Sequence, residues 1–319
     1  RDQTLTFVPD GSRSGYTVCR TPSYAFPTDP SGGKPLALAD DSYSAVQLTG
    51  GAEIPFFEAR YRSFFVGSNG YVTFSSGDGS YQESLGGHFS QPRISALFDD
   101  LNPSHGGKVS WRQLADEVVV TFQEVPKNHS GKPNSFQIEM FFDGTLRLTH
   151  LGIATEGGLV GLSRGRGMPP EFAESNLSDY PACFFLSLPE SVTEGKDTDR
   201  IAPVTVGALI PPPAGLEIRM ASSDPTELTV DKTVLFPAGE SSVLFDLTTA
   251  DDDLLDGTQH VTITATLPGG GSIEGVVRVN DNESAALTVD VPEVATEGEG
   301  KLPSKGTVGV SAPVGKDVT

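Results

Sequence analysis

The residues of this chain best suited to chemistry are its acids. Asp251, Asp252, Asp253 and Asp256 crowd together, Asp281 and Glu283 flank Asn282, and Glu190, Glu194, Asp224 and Glu227 stand beside short apolar runs. Each cluster falls where a strand is expected to end. Oxygen ligands gathered at one edge of a β-sandwich are what Ca²⁺ requires, six to eight of them at about 2.3–2.6 Å. The alternative is a solvated acidic loop face. A second set, Asp99, Asp100 and Asn102, offers the same donors to a metal or a sugar hydroxyl, although these residue types also make ordinary strand-end turns.

Patterns that carry catalysis find little support. His88, His105, His129, His150 and His260 stand in no HxH or HExxH spacing. The run Gly161-Leu162-Ser163-Arg164-Gly165 matches the nucleophile-elbow pattern, but that motif needs a helix directly after the serine, and Arg166-Gly167-Met168-Pro169-Pro170 cannot open one. Glu139 and Asp143 suggest a glycosidase pair, yet Asp143 falls in a turn. No catalytic residue is expected. Cys19 and Cys183 lie far apart with no CxxC spacing. They are either two buried thiols or, as expected here, a disulfide, a bond that persists in exported proteins and contributes on the order of 4 kcal/mol across so long a loop.

The elements that must position these groups are strands. The 319 residues include 36 glycines and 24 prolines, which implies short elements joined by turns. Tyr71-Val72-Thr73-Phe74, the stretch 117–122, the stretch 136–142 and Thr145-Leu146-Arg147-Leu148-Thr149 are β-branched or aromatic runs, several of them alternating in polarity. Asp143-Gly144 between the last two reads as a type I′ hairpin turn. Asn69-Gly70 reads as another tight turn, and Trp111 shares a strand face with Val109, which points it to the core. The best helical period, over residues 170–177, allows one or two turns. The fold expected is all-β, as tandem antiparallel β-sandwiches. With 22 basic and 42 acidic residues the net charge is −20, which repels phosphate backbones and anionic lipid. Nucleic acid is excluded as a partner. No run approaches the roughly 20 apolar residues that span a bilayer, so membrane insertion is not expected either.

The first 35 residues are rich in Pro, Gly, Ser and Asp and read as a loosely held N-terminal arm (1–35), before a sandwich body at 36–185. Residues 188–195 recur at 291–298, 103 positions on, and Val204-Thr205-Val206-Gly207 has its counterpart in Thr307-Val308-Gly309-Val310. A period near 100 residues is one sandwich domain. It sets a complete repeat at 186–284 and a truncated second copy at 287–319, which is not expected to fold alone and which reads as part of a longer protein. After residue 185 acids outnumber bases by 22 to 8, against 20 to 14 before it, so the repeat region carries most of the negative charge.

The stretch 222–230, Val234-Leu235-Phe236-Pro237-Ala238-Gly239, Asp251-Asp252-Asp253-Leu254-Leu255-Asp256-Gly257 and Val279-Asn280-Asp281-Asn282-Glu283 together resemble a Calx-beta domain. The resemblance implies an antiparallel sandwich of exported surface proteins, with calcium bound at one acidic tip. Carried over, Glu194 matches the first-strand glutamate, Asp224 the loop aspartate, Asp252 and Asp253 the central pair, and Asp281 with Glu283 the terminal cluster. In the first domain Ile54-Pro55-Phe56-Phe57, the stretch 61–74 and the stretch 94–102 resemble nidogen-like extracellular modules. The expectation is a non-catalytic, calcium-binding structural or adhesive segment of a large bacterial cell-surface or secreted protein. Polysaccharide, other surface proteins or copies of itself would be its partners. The alternative is the accessory carbohydrate-binding region of a secreted hydrolase whose catalytic domain lies elsewhere.

Overall fold

Alternation of side chains along extended backbone decides the architecture. Across Glu117–Pro126, Val118, Val120 and Phe122 enter a common core, which turns Glu117, Val119 and Thr121 to the opposite face. The structure, a computed structural model, describes residues 2–12, 15–195, 204–212, 214–268, 271–298, 300–303 and 305–314. The chain divides into two compact units, Arg1–Phe184 with Leu267–Gly271, and Phe185–Thr266 with Ser272–Thr319. Both are built of β-sheet.

The strands of the first unit are β1 (Gln3–Pro9), β2 (Tyr16–Pro22), β3 (Lys34–Pro35), β4 (Tyr43–Gln47), β5 (Ile54–Phe56), β6 (Ala59–Tyr61), β7 (Ser63–Gly67), β8 (Tyr71–Thr73), β9 (Pro92–Phe98), β10 (Lys108–Gln113), β11 (Glu117–Pro126), β12 (Pro133–Phe141), β13 (Leu146–Leu151) and β14 (Leu159–Arg164). A seven-stranded sheet in the order β2-β1-β13-β12-β11-β10-β3 faces a five-stranded sheet in the order β14-β9-β8-β7-β4. Leu5, Phe136, Ile138 and Leu148 from the first pack with Phe64, Val66, Val72 and Ile94 from the second. Trp111 is partly buried against this core, with the Lys34 ammonium 5.0 Å above its ring.

The first unit departs from its sequence pattern in three places. Residues 3–22 are not an arm: β1 pairs with both β13 and β2, and the alternation Thr4-Leu5-Thr6-Phe7 buries Leu5 and Phe7 in the core. Burying two such side chains contributes about 1.5–3 kcal/mol each, which outweighs the turn-rich composition around them. The Asp143-Gly144 hairpin forms, but only Gly144 takes a positive φ, 98°. Gly144 N–H bonds the Phe141 carbonyl at 3.0 Å and Phe141 N–H bonds that of Thr145 at 2.9 Å, a type I turn followed by a left-handed glycine rather than type I′. Helical structure over 170–177 is absent; the chain instead makes a 3₁₀ turn at Leu177–Asp179 and a four-residue helix at Leu85–His88, capped by Ser84.

Asn69 and Gly70 close the turn from β7 to β8. Gly70 sits at φ +80° where a Cβ would run into the Leu97 carbonyl, so the position demands glycine. Asn69 is fully buried and works as a strut, accepting from Leu101 N–H at 2.8 Å and donating to Asp41 Oδ1 at 3.0 Å. Cys19 on β2 is joined to Cys183 by a disulfide, flanked by backbone bonds of 2.8 Å from Arg20 to Pro181 and from Cys183 to Arg20.

The second unit contains β15 (Phe184–Ser187), β16 (Ser191–Thr193), β17 (Val204–Ala208), β18 (Leu216–Ser222), β19 (Leu228–Val230), β20 (Thr233–Phe236), β21 (Ser242–Phe245), β22 (Leu247–Thr249), β23 (Gln259–Thr266), β24 (Ser272–Asn280), β25 (Leu287–Asp290) and β26 (Thr307–Val310). Its sheets run β16-β24-β23-β18-β20 and β15-β17-β21, with a small β19-β22 ladder. Val206, Ile218, Phe236, Val261, Ile263, Val277 and Val279 form the buried interior. One ladder departs from the antiparallel expectation: β16 pairs with β24 in parallel, Ser191 opposite Arg278 and Thr193 opposite Asn280. The repeated sequence repeats its pairing, since β25 with β26 reproduces β15 with β17. Val204 and Val206 on β17 are buried in the first copy, whereas Val308 and Val310 on β26, its equivalent strand, are 73% and 44% exposed.

Candidate functional site

The acids of the second unit sit at one end of its sandwich because the strands that precede or follow them end there. Glu194 follows β16, and its N–H bonds the carbonyl of Asn280, the last residue of β24, at 3.0 Å. Asp281 and Glu283 continue from β24. Asp224 and Glu227 occupy the turn from β18 to β19, and residues 251–256 lie between β22 and β23.

Glu194 and Glu227 form the centre. They are 5% and 8% exposed, and their carboxyls share a hydrogen bond. Glu194 Oε1 is buried with no partner, as is Glu283 Oε2. Burial, then the charges of Glu227, Asp252 and Glu283, hold the Glu194 carboxyl far above the usual carboxylate range. Asp281 behaves in the opposite way. It accepts backbone N–H groups from Asp256 at 2.9 Å, Gly257 at 2.7 Å and Glu283 at 2.6 Å, and despite the opposing effect of burial these bonds keep it ionised to lower pH. Its oxygens are thus committed to shaping the loop. Asp252 accepts from Leu254 N–H at 2.7 Å, and Asp224 from Thr226 N–H at 3.1 Å.

The structure therefore sets Asp252 and Glu283 near enough for their charges to act on Glu194 without gathering three of the described tip carboxylates within 4.8 Å of one another, uses Asp281 and Asp224 to fix turns, and leaves Asp253 exposed. Glu227, absent from the carried-over set, is the closest partner of Glu194. The signal for it lay in Asp224-Pro225-Thr226-Glu227, a turn whose fourth residue returns to the strand end.

In the first unit the set Asp99, Asp100 and Asn102 is split. Asp99 is buried and neutralised by Lys127 Nζ, 2.7 and 2.9 Å from its two oxygens, and it also accepts from the Thr155 hydroxyl. Asn102 caps a 3₁₀ turn, accepting from Ser104 N–H at 3.0 Å. Asp100 instead joins Asp40 and Asp41, and among the described residues these three form the group of carboxylates whose ligand atoms all lie within 4.8 Å of one another. Burial and the charges of Asp41 and Asp40 push the Asp100 carboxyl up.

A cavity of about 1080 Å³ also opens in this unit, walled by Phe7, Tyr16, Phe57, Leu162, Met168 and Phe172. His88 lies on its wall with Nδ1 2.9 Å from Ser95 Oγ, its imidazole pushed down to about 4 by burial and so neutral. The Ser163 hydroxyl donates to the Gln91 carbonyl at 3.2 Å, and a loop, not a helix, follows its strand. No nucleophile–base pair results at that serine.

The two-sheet body of the first unit, with β7, β8 and β9 adjacent, is the part of the chain that comparison places. Residues 15–141 match the family model described as NIDO related. The matched segment runs from the start of β2 to the end of β12, so β1, β13 and β14 of the same sandwich lie outside it. No curated protein matches the chain. Among solved structures it is similar to WR4, a C. elegans MSP family member, at 11% identity over 31% of this chain and 97% of that one, with a TM-score of 0.24. A likeness that slight carries no argument. No helix among the described residues is long and apolar enough to cross a membrane.

Proposed function

We propose that the chain is a non-catalytic segment of a large bacterial surface or secreted protein, in which the NIDO-related sandwich precedes a Calx-beta sandwich that binds Ca²⁺ at its acidic tip. Its role is structural and adhesive, toward other surface proteins or polysaccharide. One observation carries the calcium reading: Glu194 is 5% exposed with Oε1 unpartnered, against a second buried glutamate, Glu227. Taking a carboxylate out of water without a counter-charge costs several kcal/mol, which a divalent cation offsets. Glu194, Glu227, Asp252 and Glu283 would supply the ligands, with Asp281 shaping the loop behind them. A shared ion would tie the end of β16, the β18–β19 turn, the 251–256 loop and the end of β24 into one body. The disulfide suits an oxidising, extracellular setting.

Thermal melting of the full chain in millimolar calcium and in chelator tests this. Calcium at about 100 times its dissociation constant should stabilise the folded unit by about 2.7 kcal/mol. The gain should vanish in Glu194→Gln and in Asp252→Ala and survive in Asp41→Asn, which alters the carboxylate group of the first unit. A wild-type protein indifferent to calcium, or a shift retained in Glu194→Gln, would overturn the assignment.

A further inference from the structure

The outer face of the seven-stranded sheet is polar, yet buried. Thr121, Gln137, Glu139 and Thr149 are each at most 2% exposed and Glu117 is 6% exposed. The segment that follows β2 is bound to this face through Thr28. Gln137 grips its backbone at both groups, Oε1 accepting from Thr28 N–H at 3.2 Å and Nε2 donating to the Thr28 carbonyl at 2.8 Å. The other hydrogen of that amide goes to Thr121 Oγ1 at 2.8 Å. The Thr28 hydroxyl lies between two carboxyls, 3.0 Å from Glu117 Oε1 and 2.8 Å from Glu139 Oε1.

A hydroxyl has one hydrogen to donate, and an ionised carboxylate has none. Were both glutamates ionised, one of these two contacts would set acceptor against acceptor inside the protein. We propose that a single proton on Glu139 completes the chain, Glu139 Oε1–H donating to Thr28 Oγ1 and Thr28 Oγ1–H donating to Glu117 Oε1, and that this proton latches residues 23–31 onto the sheet.

The surroundings favour the protonated form. Glu117 Oε2 and Glu139 Oε2 are both buried without partners, so no donor compensates a second negative charge. The charged groups acting on the pair are Arg147, directly across from Glu139 on β13, and Asp116 beside Glu117; Asp29 follows Thr28 on the segment itself. Arg147 holds its guanidinium 4.7 Å from the Phe141 ring, and Asp29 is engaged by Ser31 N–H at 2.9 Å and by the Ser31 hydroxyl. Arg112 reaches the Ser31 carbonyl at 3.2 Å and acts on Asp29. Burial pushes Glu139 up to about 7, with Arg147 opposing and Glu117 reinforcing.

The sign of the pH effect follows. Between the ordinary glutamate value of 4.5 and about 7, the latched state holds a proton that the released state has lost. Raising pH through that window therefore weakens the latch by up to about tenfold per unit, about 300-fold in all, and leaves it constant above. The proton passes to solvent, and the one remaining hydroxyl hydrogen cannot serve both carboxylates.

Hydrogen exchange at the Thr28 amide and its neighbours in the full chain, corrected for the intrinsic pH dependence of exchange, reads the latch directly. Protection should fall by about 70-fold from pH 5 to pH 8 in the wild type. Glu139→Gln presents a neutral amide that still donates to Thr28 Oγ1, so its protection should stay flat and high. Glu117→Gln supplies a donor to Thr28 Oγ1 from the other side and removes a neighbouring charge while Glu139 stays buried, so its fall should be smaller than that of the wild type, giving a second reading if the first variant fails to fold. A wild-type profile without the fall, or the same fall in either variant while β11 and β12 stay protected, would overturn the proposal.

Discussion

Asp78→Ala should destabilise the first unit by about 3–5 kcal/mol, among the largest effects of any single change in this chain. Arg93, on β9, is fully buried, its guanidinium 4.3 Å from the Tyr71 ring and 5.0 Å from that of Phe98. Asp78 is its ion-pair partner, while Nε and Nη1 have no hydrogen-bond partner. An arginine cannot escape by losing its proton, so removing the aspartate leaves a charge in a dry site. The loop bearing Asp78 is also held from below, because Tyr71 Oη donates toward the carbonyls of Asp78 at 3.1 Å and Ser80 at 2.8 Å. Arg93→Met combined with Asp78→Ala should recover most of the loss, since neither charge then remains. Urea unfolding of the three proteins decides the matter. A single variant within 1 kcal/mol of wild type, or a double variant no better than the single, would show that the pair is dispensable.

Cys19→Ser with Cys183→Ser should cost the first unit about 4–5 kcal/mol. The bond closes a loop with a sequence separation of 164, and in the chain-entropy model the stabilisation grows with the logarithm of that length. For a unit of this size the melting midpoint should fall by about 10–20 °C. A reductant should reproduce the drop in the wild type and do nothing to the double variant. Coincident midpoints with and without reductant would remove the disulfide from any account of stability.

Much of the fold is legible in the sequence because its strands are long, β-branched and alternating. The stretches 117–122 and 136–142 name both their state and their inward face, and the repeat at 188–195 and 291–298 announces a second sandwich begun again. What escaped depends on pairing across distance. Thr4-Leu5-Thr6-Phe7 is too short to outweigh its Pro- and Gly-rich flanks until β13 lies beside it. Gln137 and Glu139 alternate with core residues as solvent-facing positions do, and nothing local reveals the segment that covers them. Asp40, Asp41 and Asp100 meet across the fold, where Asn69 links the 41 loop to the backbone of Leu101 and Ser42 pairs with Ser68. At the acidic tip the clusters were visible, but the split of roles was not. Whether an aspartate faces outward or spends its oxygens on backbone N–H groups, as Asp281 does, is settled by turn geometry rather than by residue type.

The parallel ladder between β16 and β24 has a mechanical meaning. A short strand near the start of the sandwich and the long strand near its end lie side by side and point the same way, Ser191 opposite Arg278 and Thr193 opposite Asn280. Arg278 reinforces the contact with a 2.8 Å ion pair to Glu190, and its N–H bonds the Glu190 carbonyl at 3.1 Å. Tension applied between the residues before β16 and those after β24 pulls the two strands past each other along their length. Their bonds are then loaded together in shear instead of peeling open one at a time. A domain joined this way resists stretching far better than its equilibrium stability alone would suggest, a useful property for a link in a chain that bears load.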